Sequence, residues 1–163
     1  MSETVYLSLG SNLGDRGVQL RTAIARLAEV GEVSTVSAFY ETAPVDFLDQ
    51  PWFLNCVVAL NTGISPEELL RTVLAIETTM GRRRTQEKGP RTIDIDILLF
   101  GNFVIDQPGL KIPHPALAQR RFVLEPLAEI APEAVHPQLG KTARELLAAL
   151  EPGQIVRHHE AKA

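Results

Sequence analysis

The sequence has one cysteine, no long hydrophobic run and no excess of positive charge, and each absence excludes a class of protein. Cys56 has no partner within the chain, so an intramolecular disulfide is excluded and a reducing compartment is expected. Apolar runs such as residues 97–100 contain far too few residues to cross a bilayer. The N-terminus lacks the basic and apolar regions of a signal peptide. We therefore expect a cytoplasmic protein without a membrane partner.

The charge balance argues against a nucleic-acid partner. The chain has 16 Lys and Arg against 20 Asp and Glu, for a formal net charge of −4, whereas proteins that bind nucleic acid usually carry a basic surface. Its 163 residues, 45% of them hydrophobic, are enough for a core without disulfides. We expect a monomer with a single domain over 1–163, in which the polar segment 151–163 is a flexible tail.

The spacing of apolar residues predicts six main elements in the order β, α, β, β, α, β. The second helix has the clearest start, because Ser65, Pro66 and Glu68 form a capping box with proline in the first turn. The order is typical of an α+β, ferredoxin-like (split βαβ) antiparallel sheet with helices on one face and additional C-terminal elements. The predicted boundaries are strands 5–9, 33–40, 53–61 and 92–100, with helices 16–29 and 65–81.

The C-terminal third is less regular. The segment 121–130 has helical apolar spacing, but Pro126 is expected to break a regular helix there. A last short helix is predicted over 142–150, and Gly10 is expected to end the first strand.

Two aspartates on one predicted strand are the strongest indication of chemistry. Asp94 and Asp96 are two residues apart, so both side chains project from the same face, roughly 6.6 Å apart along the strand. Paired carboxylates on a rigid element suit Mg²⁺, which keeps several waters and shares itself with substrate phosphates. The alternative is a solvated strand face, although aspartate is disfavoured in strands. The opposite face, expected to enter the core, carries Ile93, Ile95, Ile97 and Leu99.

A basic segment lies immediately before this strand. Five of the 16 Lys and Arg fall within residues 82–91, and guanidinium groups beside a carboxylate pair are typical of a metal–polyphosphate site. A solvated basic loop and an RNA-binding patch are the alternatives. Another Mg²⁺-dependent phosphotransferase, or a nuclease, would use the same aspartate pair. The basic residues concerned are Arg82, Arg83, Arg84, Lys88 and Arg91.

The remaining motifs give weaker indications of function. The chain contains neither a P-loop nor G-x-G-x-x-G, so phosphate recognition must come from side chains and metal. Cys56 shares a face with apolar residues and is expected to be a core thiol. His114 lies between two prolines and is a candidate ligand contact.

An aromatic and an amide on the third predicted strand suggest recognition of a planar ring. Phe53 and Asn55 share the face opposite the core, so one can stack on a ring while the other hydrogen-bonds its edge. A partly buried phenylalanine beside a capped asparagine is the alternative. Phe122 is a second possible stacking residue, but the sequence alone does not bring it near Phe53.

Six sequence blocks follow one another in order between about residue 5 and residue 150. They are Leu-Ser-Leu-Gly-Ser-Asn-Leu-Gly-Asp at 7–15, Phe-Tyr-Glu-Thr-Ala-Pro at 39–44, Gln-Pro-Trp-Phe-Leu-Asn at 50–55, Gly-Pro-Arg-Thr-Ile-Asp-Ile-Asp at 89–96, Ile-Pro-His-Pro at 112–115 and Arg-Phe-Val-Leu-Glu-Pro-Leu at 121–127. In this order the blocks resemble the 6-hydroxymethyl-7,8-dihydropterin pyrophosphokinase family of folate biosynthesis, and the block at 89–96 is the most specific part of the resemblance.

The resemblance implies transfer of the β,γ-diphosphoryl group of ATP to the pterin hydroxymethyl oxygen, with release of AMP and two bound Mg²⁺ ions. Asp94 and Asp96 match the metal-binding carboxylates, Asp94 also contacting substrate, and Arg82 and Arg91 match catalytic arginines that also contact ATP. The implied ATP contacts are completed by Arg84, Ile97, His114 and Arg120. The implied pterin contacts are Thr42, Ala43, Val45, Phe53, Asn55 and Phe122.

Overall fold

The computed structural model describes residues 2–43, 52–81 and 92–151, together with the backbone of 156–158. Ten strands and four α-helices lie within these ranges. The strands are β1 (Glu3–Ser11), β2 (Glu32–Val36), β3 (Tyr40–Thr42), β4 (Phe53–Thr62), β5 (Asp94–Phe100), β6 (Ile105–Gln107), β7 (Leu110–Ile112), β8 (Val135–His136), β9 (Lys141–Thr142) and β10 (Val156–His158). The helices are α1 (Arg16–Leu27), α2 (Pro66–Thr79), α3 (Arg121–Ile130) and α4 (Ala143–Ala148).

The described strands form one main sheet and two small hairpins. The main sheet has six strands in the order β10-β3-β4-β1-β5, with β2 also paired to β4, and every pairing is antiparallel. Strands β6 and β7 form one hairpin, and β8 and β9 form the other. The α+β class and the antiparallel sheet predicted from the sequence are confirmed. No helix in the described part of the chain is both long and apolar enough to cross a membrane.

Helices cover both faces of the sheet. Helices α1 and α2 pack on one face, over a core that includes Leu7, Cys56 and Ile95. Helices α3 and α4, which the sequence left unplaced, pack on the opposite face against Val57 and Leu98. Cys56 is fully buried in the first layer, and burial raises the pKa of its thiol to about 12. The prediction that Cys56 is a core thiol is therefore confirmed.

A bulge in β5 overturns part of the predicted alternation. Leu7 of β1 pairs with Ile97, but Tyr6 pairs with Leu99, which leaves Leu98 as an extra residue. An extra residue reverses the face on which the following side chains lie. Leu99 therefore joins the second core layer with Leu98, and its predicted place beside the isoleucines was wrong.

Three local expectations also differ from the structure. Gly10 lies within β1 instead of ending it. Pro126 lies inside α3, where burial of Val123, Leu124 and neighbouring residues offsets the hydrogen bond that proline removes. In the segment 151–163, expected to be a flexible tail, residues 156–158 form β10 and pair with β3.

The β8–β9 hairpin contains a buried histidine that predicts acid sensitivity. The Nδ1 atom of His136 accepts hydrogen bonds from the amides of Gln138 and Leu139, both at 3.2 Å. Burial lowers the pKa of His136 below its usual 6.5. The folded state therefore binds fewer protons at this histidine than the unfolded state does. The contribution of neutral His136 to the free energy of unfolding is complete above pH 6.5 and is lost as the pH falls.

We expect His136→Asn, which keeps an acceptor but cannot titrate, to reduce this loss. Denaturant unfolding of both proteins between about pH 7.5 and about pH 5, a range that spans the usual histidine pKa, measures the difference. A parallel decrease in the two unfolding free energies would show that His136 is not the group responsible.

Candidate functional site

The predicted site residues on β4 and β5 lie on the same face of the sheet, on either side of β1. Gly10 pairs with Asn55 of β4 on one side and with Asp94 of β5 on the other. Two residues before Gly10 on β1, Ser8 pairs with Asp96. Because side chains two residues apart share a face, Asn55, Asp94 and Asp96 project together, opposite the core layer under α1 and α2.

Asn55 is held by a hydrogen bond to the neighbouring strand. Its Nδ2 donates to Oγ1 of Thr42 at 2.6 Å, and both residues are at least 97% buried. This bond orients the amide and leaves its Oδ1 close to Gly10. Phe53 lies two residues earlier on the same face, in line with Asn55. The aromatic and the amide predicted to recognise a ring are therefore adjacent.

Gly10 lies directly against the candidate residues Asn55 and Phe53, and sequence reasoning missed this contact. A Cβ placed on it would lie 2.6 Å from Oδ1 of Asn55 and 3.5 Å from Cδ1 of Phe53. Any larger residue would therefore displace the Asn55 amide. A glycine inside an otherwise regular strand pattern is the sequence feature that could have indicated this close approach.

For a substrate whose ring binds at Asn55, we expect Gly10→Ala to raise the KM roughly tenfold, because the displaced Asn55 amide loses part of its hydrogen bonding. Steady-state kinetics with each substrate varied in turn would measure this. Gly17→Ala on α1 is the control, since its added Cβ would meet only the flexible end of Arg21, at 3.3 Å. A KM for Gly10→Ala equal to that of the control would contradict the assignment of Gly10.

Asp96 lies in a cluster of charged and polar groups. Its Oδ1 is 3.7 Å from Nε2 of His114, and its Oδ2 is 4.0 Å from Nη1 of Arg120. The guanidinium carbon of Arg120 lies 5.5 Å from the centre of the Phe122 ring. The Asp96 side chain remains 32% exposed, so the carboxylate is partly open to solvent.

His114 is held in one orientation as a neutral imidazole. Its backbone amide donates to the Leu98 carbonyl at 3.0 Å, and its Nδ1 accepts from the Ala116 amide at 3.1 Å. An accepting Nδ1 places the proton on Nε2, the atom that faces Asp96. Burial is the main cause that lowers the pKa of His114, followed by Arg120, while Asp94 opposes the shift. His114 therefore presents an N–H donor beside the carboxylate pair.

Helix α3, which carries Phe122 at its start, is anchored to the sheet at β3. Glu129 accepts hydrogen bonds from the Ala38 amide at 3.0 Å and from the Tyr40 hydroxyl at 2.7 Å. Burial and the adjacent Glu129 raise the pKa of Tyr40. These contacts hold the helix against β3, the strand that supplies Thr42.

A cavity of about 320 Å³ opens beside Asp96, between α2, β5 and the β6–β7 hairpin. Glu77, which sequence reasoning missed, lies in its wall and is 97% buried. Its Oε2 accepts a hydrogen bond from the Ile95 amide at 2.7 Å, so it links α2 to the strand that bears the aspartates. A glutamate on the buried stripe of a helix is the indication in the sequence. The lining residues are Leu70, Val73, Leu74, Glu77, Ile95, Asp96, Ile97, Gly109, Leu110, Lys111, His114 and Pro115.

Several predicted site residues lie outside the described ranges. These are Val45, Arg82, Arg84 and Arg91. Ala43 is described and lies partly buried just after β3. Among the described members, the structure places on one face of the sheet Thr42, Phe53, Asn55, Asp94 and Asp96, and in the adjoining cavity wall Ile97 and His114.

The donor set fits a magnesium ion shared with a substrate. Within the described ranges, no group of three or more His, Cys, Asp or Glu side chains is arranged to hold a metal. Mg²⁺ does not need such a group, because it commonly binds one or two carboxylates plus waters and substrate phosphates. The partly exposed Asp94 and Asp96 meet this requirement.

Comparison with known proteins defines the class. The family model described as 7,8-dihydro-6-hydroxymethylpterin-pyrophosphokinase (HPPK) matches residues 6–132. The chain is similar to 2-amino-4-hydroxy-6-hydroxymethyldihydropteridine pyrophosphokinase of Methylorubrum extorquens, with 45% identity over 93% of this chain and 96% of the relative. The corresponding Bacillus subtilis protein is 47% identical over 80% of this chain and 79% of its own length.

Some relatives are much longer. The folic acid synthesis protein fol1 of Schizosaccharomyces pombe is 44% identical over 96% of this chain, which spans only 21% of that protein. A crystal structure of Plasmodium falciparum HPPK-DHPS superposes with a TM-score of 0.73 over 91% of this chain and 45% of that chain, at 19% identity, and supports the fold. The chain belongs to the 7,8-dihydro-6-hydroxymethylpterin-pyrophosphokinase family, which confirms the resemblance noted from the sequence blocks.

Proposed function

We propose that this chain transfers the β,γ-diphosphoryl group of ATP to the hydroxymethyl group of 6-hydroxymethyl-7,8-dihydropterin and releases AMP. The pterin hydroxyl oxygen forms a bond to the β-phosphorus, the bond from that phosphorus to the α,β-bridging oxygen breaks, and the hydroxyl proton is released. The observation that carries the proposal is the order of groups across the sheet. The Phe53–Asn55 pair and the Asp94–Asp96 pair share one face across β4, β1 and β5, and the cavity beside His114 opens at the β5 end of that row.

The pterin is proposed to bind at the Asn55 end of this face. Pterins are flat and carry donors and acceptors along one edge, which suits an oriented amide next to an aromatic ring. Asn55, held by Thr42, would read that edge, and Phe53 would stack on the ring. The proposed contacts are completed by Ala43, Val45, Asp94 and Phe122.

ATP is proposed to bind at the other end, with its base side in the cavity beside Ile97 and its phosphates toward Asp96. His114 presents its Nε2–H, and Arg120 its guanidinium, to this side of the carboxylate. Both are donors that suit phosphate oxygens. Arg82, Arg84 and Arg91 are proposed to supply the remaining positive charge, with Arg82 and Arg91 stabilising the charge that develops as AMP leaves.

Two Mg²⁺ ions are proposed to be held by Asp94 and Asp96. When bound, they would neutralise the triphosphate and align its oxygens. The protein's own contribution is then positional. Asn55 and Phe53 would fix the pterin, and His114 and Arg120 would orient phosphate oxygens. No side chain is required as a general base, since phosphoryl-type transfers depend mainly on positioning and charge stabilisation.

The finer features of the fold and assembly belong to the same proposal. The order β5-β1-β4-β3 with α1 and α2 on one face supports a ferredoxin-like, split βαβ arrangement. We propose a single domain over 1–163 that acts as a cytoplasmic monomer without a nucleic-acid or membrane partner.

The reaction is tested by incubating the protein with ATP, Mg²⁺ and 6-hydroxymethyl-7,8-dihydropterin, and separating the nucleotides. AMP that forms only when the pterin is present supports the proposal, and omission of Mg²⁺ should abolish it. ADP as the product would indicate a different phosphotransferase. Absence of any turnover would reject the assignment for this chain.

A further inference from the structure

Arg16, the first residue of α1, joins the two strands that carry the ring-binding residues. Its Nη2 donates to Oε2 of Glu41 at 2.8 Å, and its Nη1 donates to the Trp52 carbonyl at 2.9 Å. The helix start is fixed in turn, because Oδ1 of Asp15 caps it by accepting from the Val18 amide at 3.1 Å. The Arg16 guanidinium therefore bridges β3 and the start of β4 with two hydrogen bonds.

Each residue that Arg16 contacts immediately precedes a residue of the ring site, which consists of Thr42, Phe53 and Asn55. Glu41 precedes Thr42, whose hydroxyl accepts from Asn55. Trp52 precedes Phe53, and Phe53 pairs directly with Thr42 across the two strands. The Arg16 guanidinium thus holds β3 and β4 together next to the Thr42 hydroxyl and the Phe53 ring.

The contact is partly shielded from solvent. The side chains of Arg16 and Glu41 are only 24% and 16% exposed, and a hydrogen bond between charged groups is stronger and more directional than a neutral one. Lysine cannot replace it, because a single ammonium does not offer two parallel donors in a fixed geometry. The arrangement suits the fixing of local geometry more than a general contribution to stability.

We propose that Arg16 is a positioning residue for the pterin, acting through Glu41 and the Trp52 carbonyl to hold Thr42 and Phe53 in their binding geometry. The inference rests on the proposed function, since it assigns the role of Arg16 within that same site. It concerns the pterin side alone, because Arg16 does not line the cavity beside Asp96.

The test is Arg16→Gln, assayed by AMP release with each substrate varied separately. We expect the pterin KM to rise roughly tenfold, as for loss of a charge-assisted hydrogen bond, while the ATP KM and kcat change by less than about twofold. Arg21→Gln on the same helix is the matched control. Arg21 is exposed and makes no hydrogen bond or ion pair with the described residues, so its kinetics should match the unmodified protein.

A double-mutant cycle separates positioning from a general structural effect. If Arg16 acts through Glu41, Glu41→Gln should also raise the pterin KM, and the double variant should be no worse than the more affected single variant. Equal increases in both KM values, or an unchanged pterin KM, would overturn the positioning role while the reaction itself stands. An unmodified protein that releases no AMP with the pterin would instead overturn the proposed function.

Discussion

Asp96→Asn is expected to lower kcat by about a thousandfold, the scale of losing a group that organises charge at a reacting phosphate. The substitution keeps the size of the side chain and removes its charge, so the proposed magnesium ions lose one of their two carboxylates. Raising the Mg²⁺ concentration should restore only part of the activity. Initial rates of AMP release over a range of Mg²⁺ concentrations measure both effects.

The fold should tolerate this change. Asp96 is 32% exposed and lies 4.0 Å from Arg120, and such partly solvated pairs contribute at most about 1 kcal/mol to stability. We therefore expect a melting temperature within about 4 °C of the unmodified protein. Glu133→Gln is the control, because it removes an exposed carboxylate that pairs with Arg144 away from the site. If Asp96→Asn unfolds the protein, or retains full activity, the carboxylate pair has a structural role instead.

Asn55→Ala is expected to weaken pterin binding by about a hundredfold and to leave ATP binding within about twofold. A site built to hydrogen-bond a ring loses most affinity when the bonding group is removed and its partners stay desolvated. Thr42 would also lose the donor that it accepts at 2.6 Å, so the ring site would be disturbed on both strands. Isothermal titration with each ligand separately provides the two dissociation constants.

Asn61→Ala is the matched control for this substitution. Asn61 lies on the same strand and face, but it is near the other end of β4, where its Oδ1 accepts from the Thr4 hydroxyl at 3.0 Å. Its removal should leave both dissociation constants unchanged. An equal loss of pterin and ATP binding in Asn55→Ala would show that the ring site has been misplaced.

The parts of the fold that depend on neighbouring residues in sequence were predictable. The capping box of α2 forms between Ser65 and Glu68 as predicted, because its groups are three residues apart. The alternation in β4 buries Leu54 and Cys56 in one layer, because a strand has a fixed two-residue period. The resemblance of the 89–96 block is likewise confirmed at the level of the family.

The rest depends on contacts between distant segments. The bulge at Leu98 arises from pairing with β1, and nothing in the sequence of β5 alone requires it. Glu77 was missed because its partner, the Ile95 amide, lies 18 positions away. His114 reaches Asp96 only because the β6–β7 hairpin returns the chain to the end of β5. Sequence reasoning therefore found candidate groups, while their mutual distances required the folded chain.

The glycine at the centre of the sheet has a consequence for how rigid recognition on this face can be. With no side chain at position 10, Oδ1 of Asn55 and Cδ1 of Phe53 pack directly over the backbone, since a Cβ there would lie 2.6 Å and 3.5 Å from them. Side chains packed this closely have few alternative rotamers, so a flat molecule bound beside them would order little that is not already ordered, and this part of its binding would cost little side-chain entropy. Altered selectivity would have to arise from side chains on the flanking strands, since position 10 admits none.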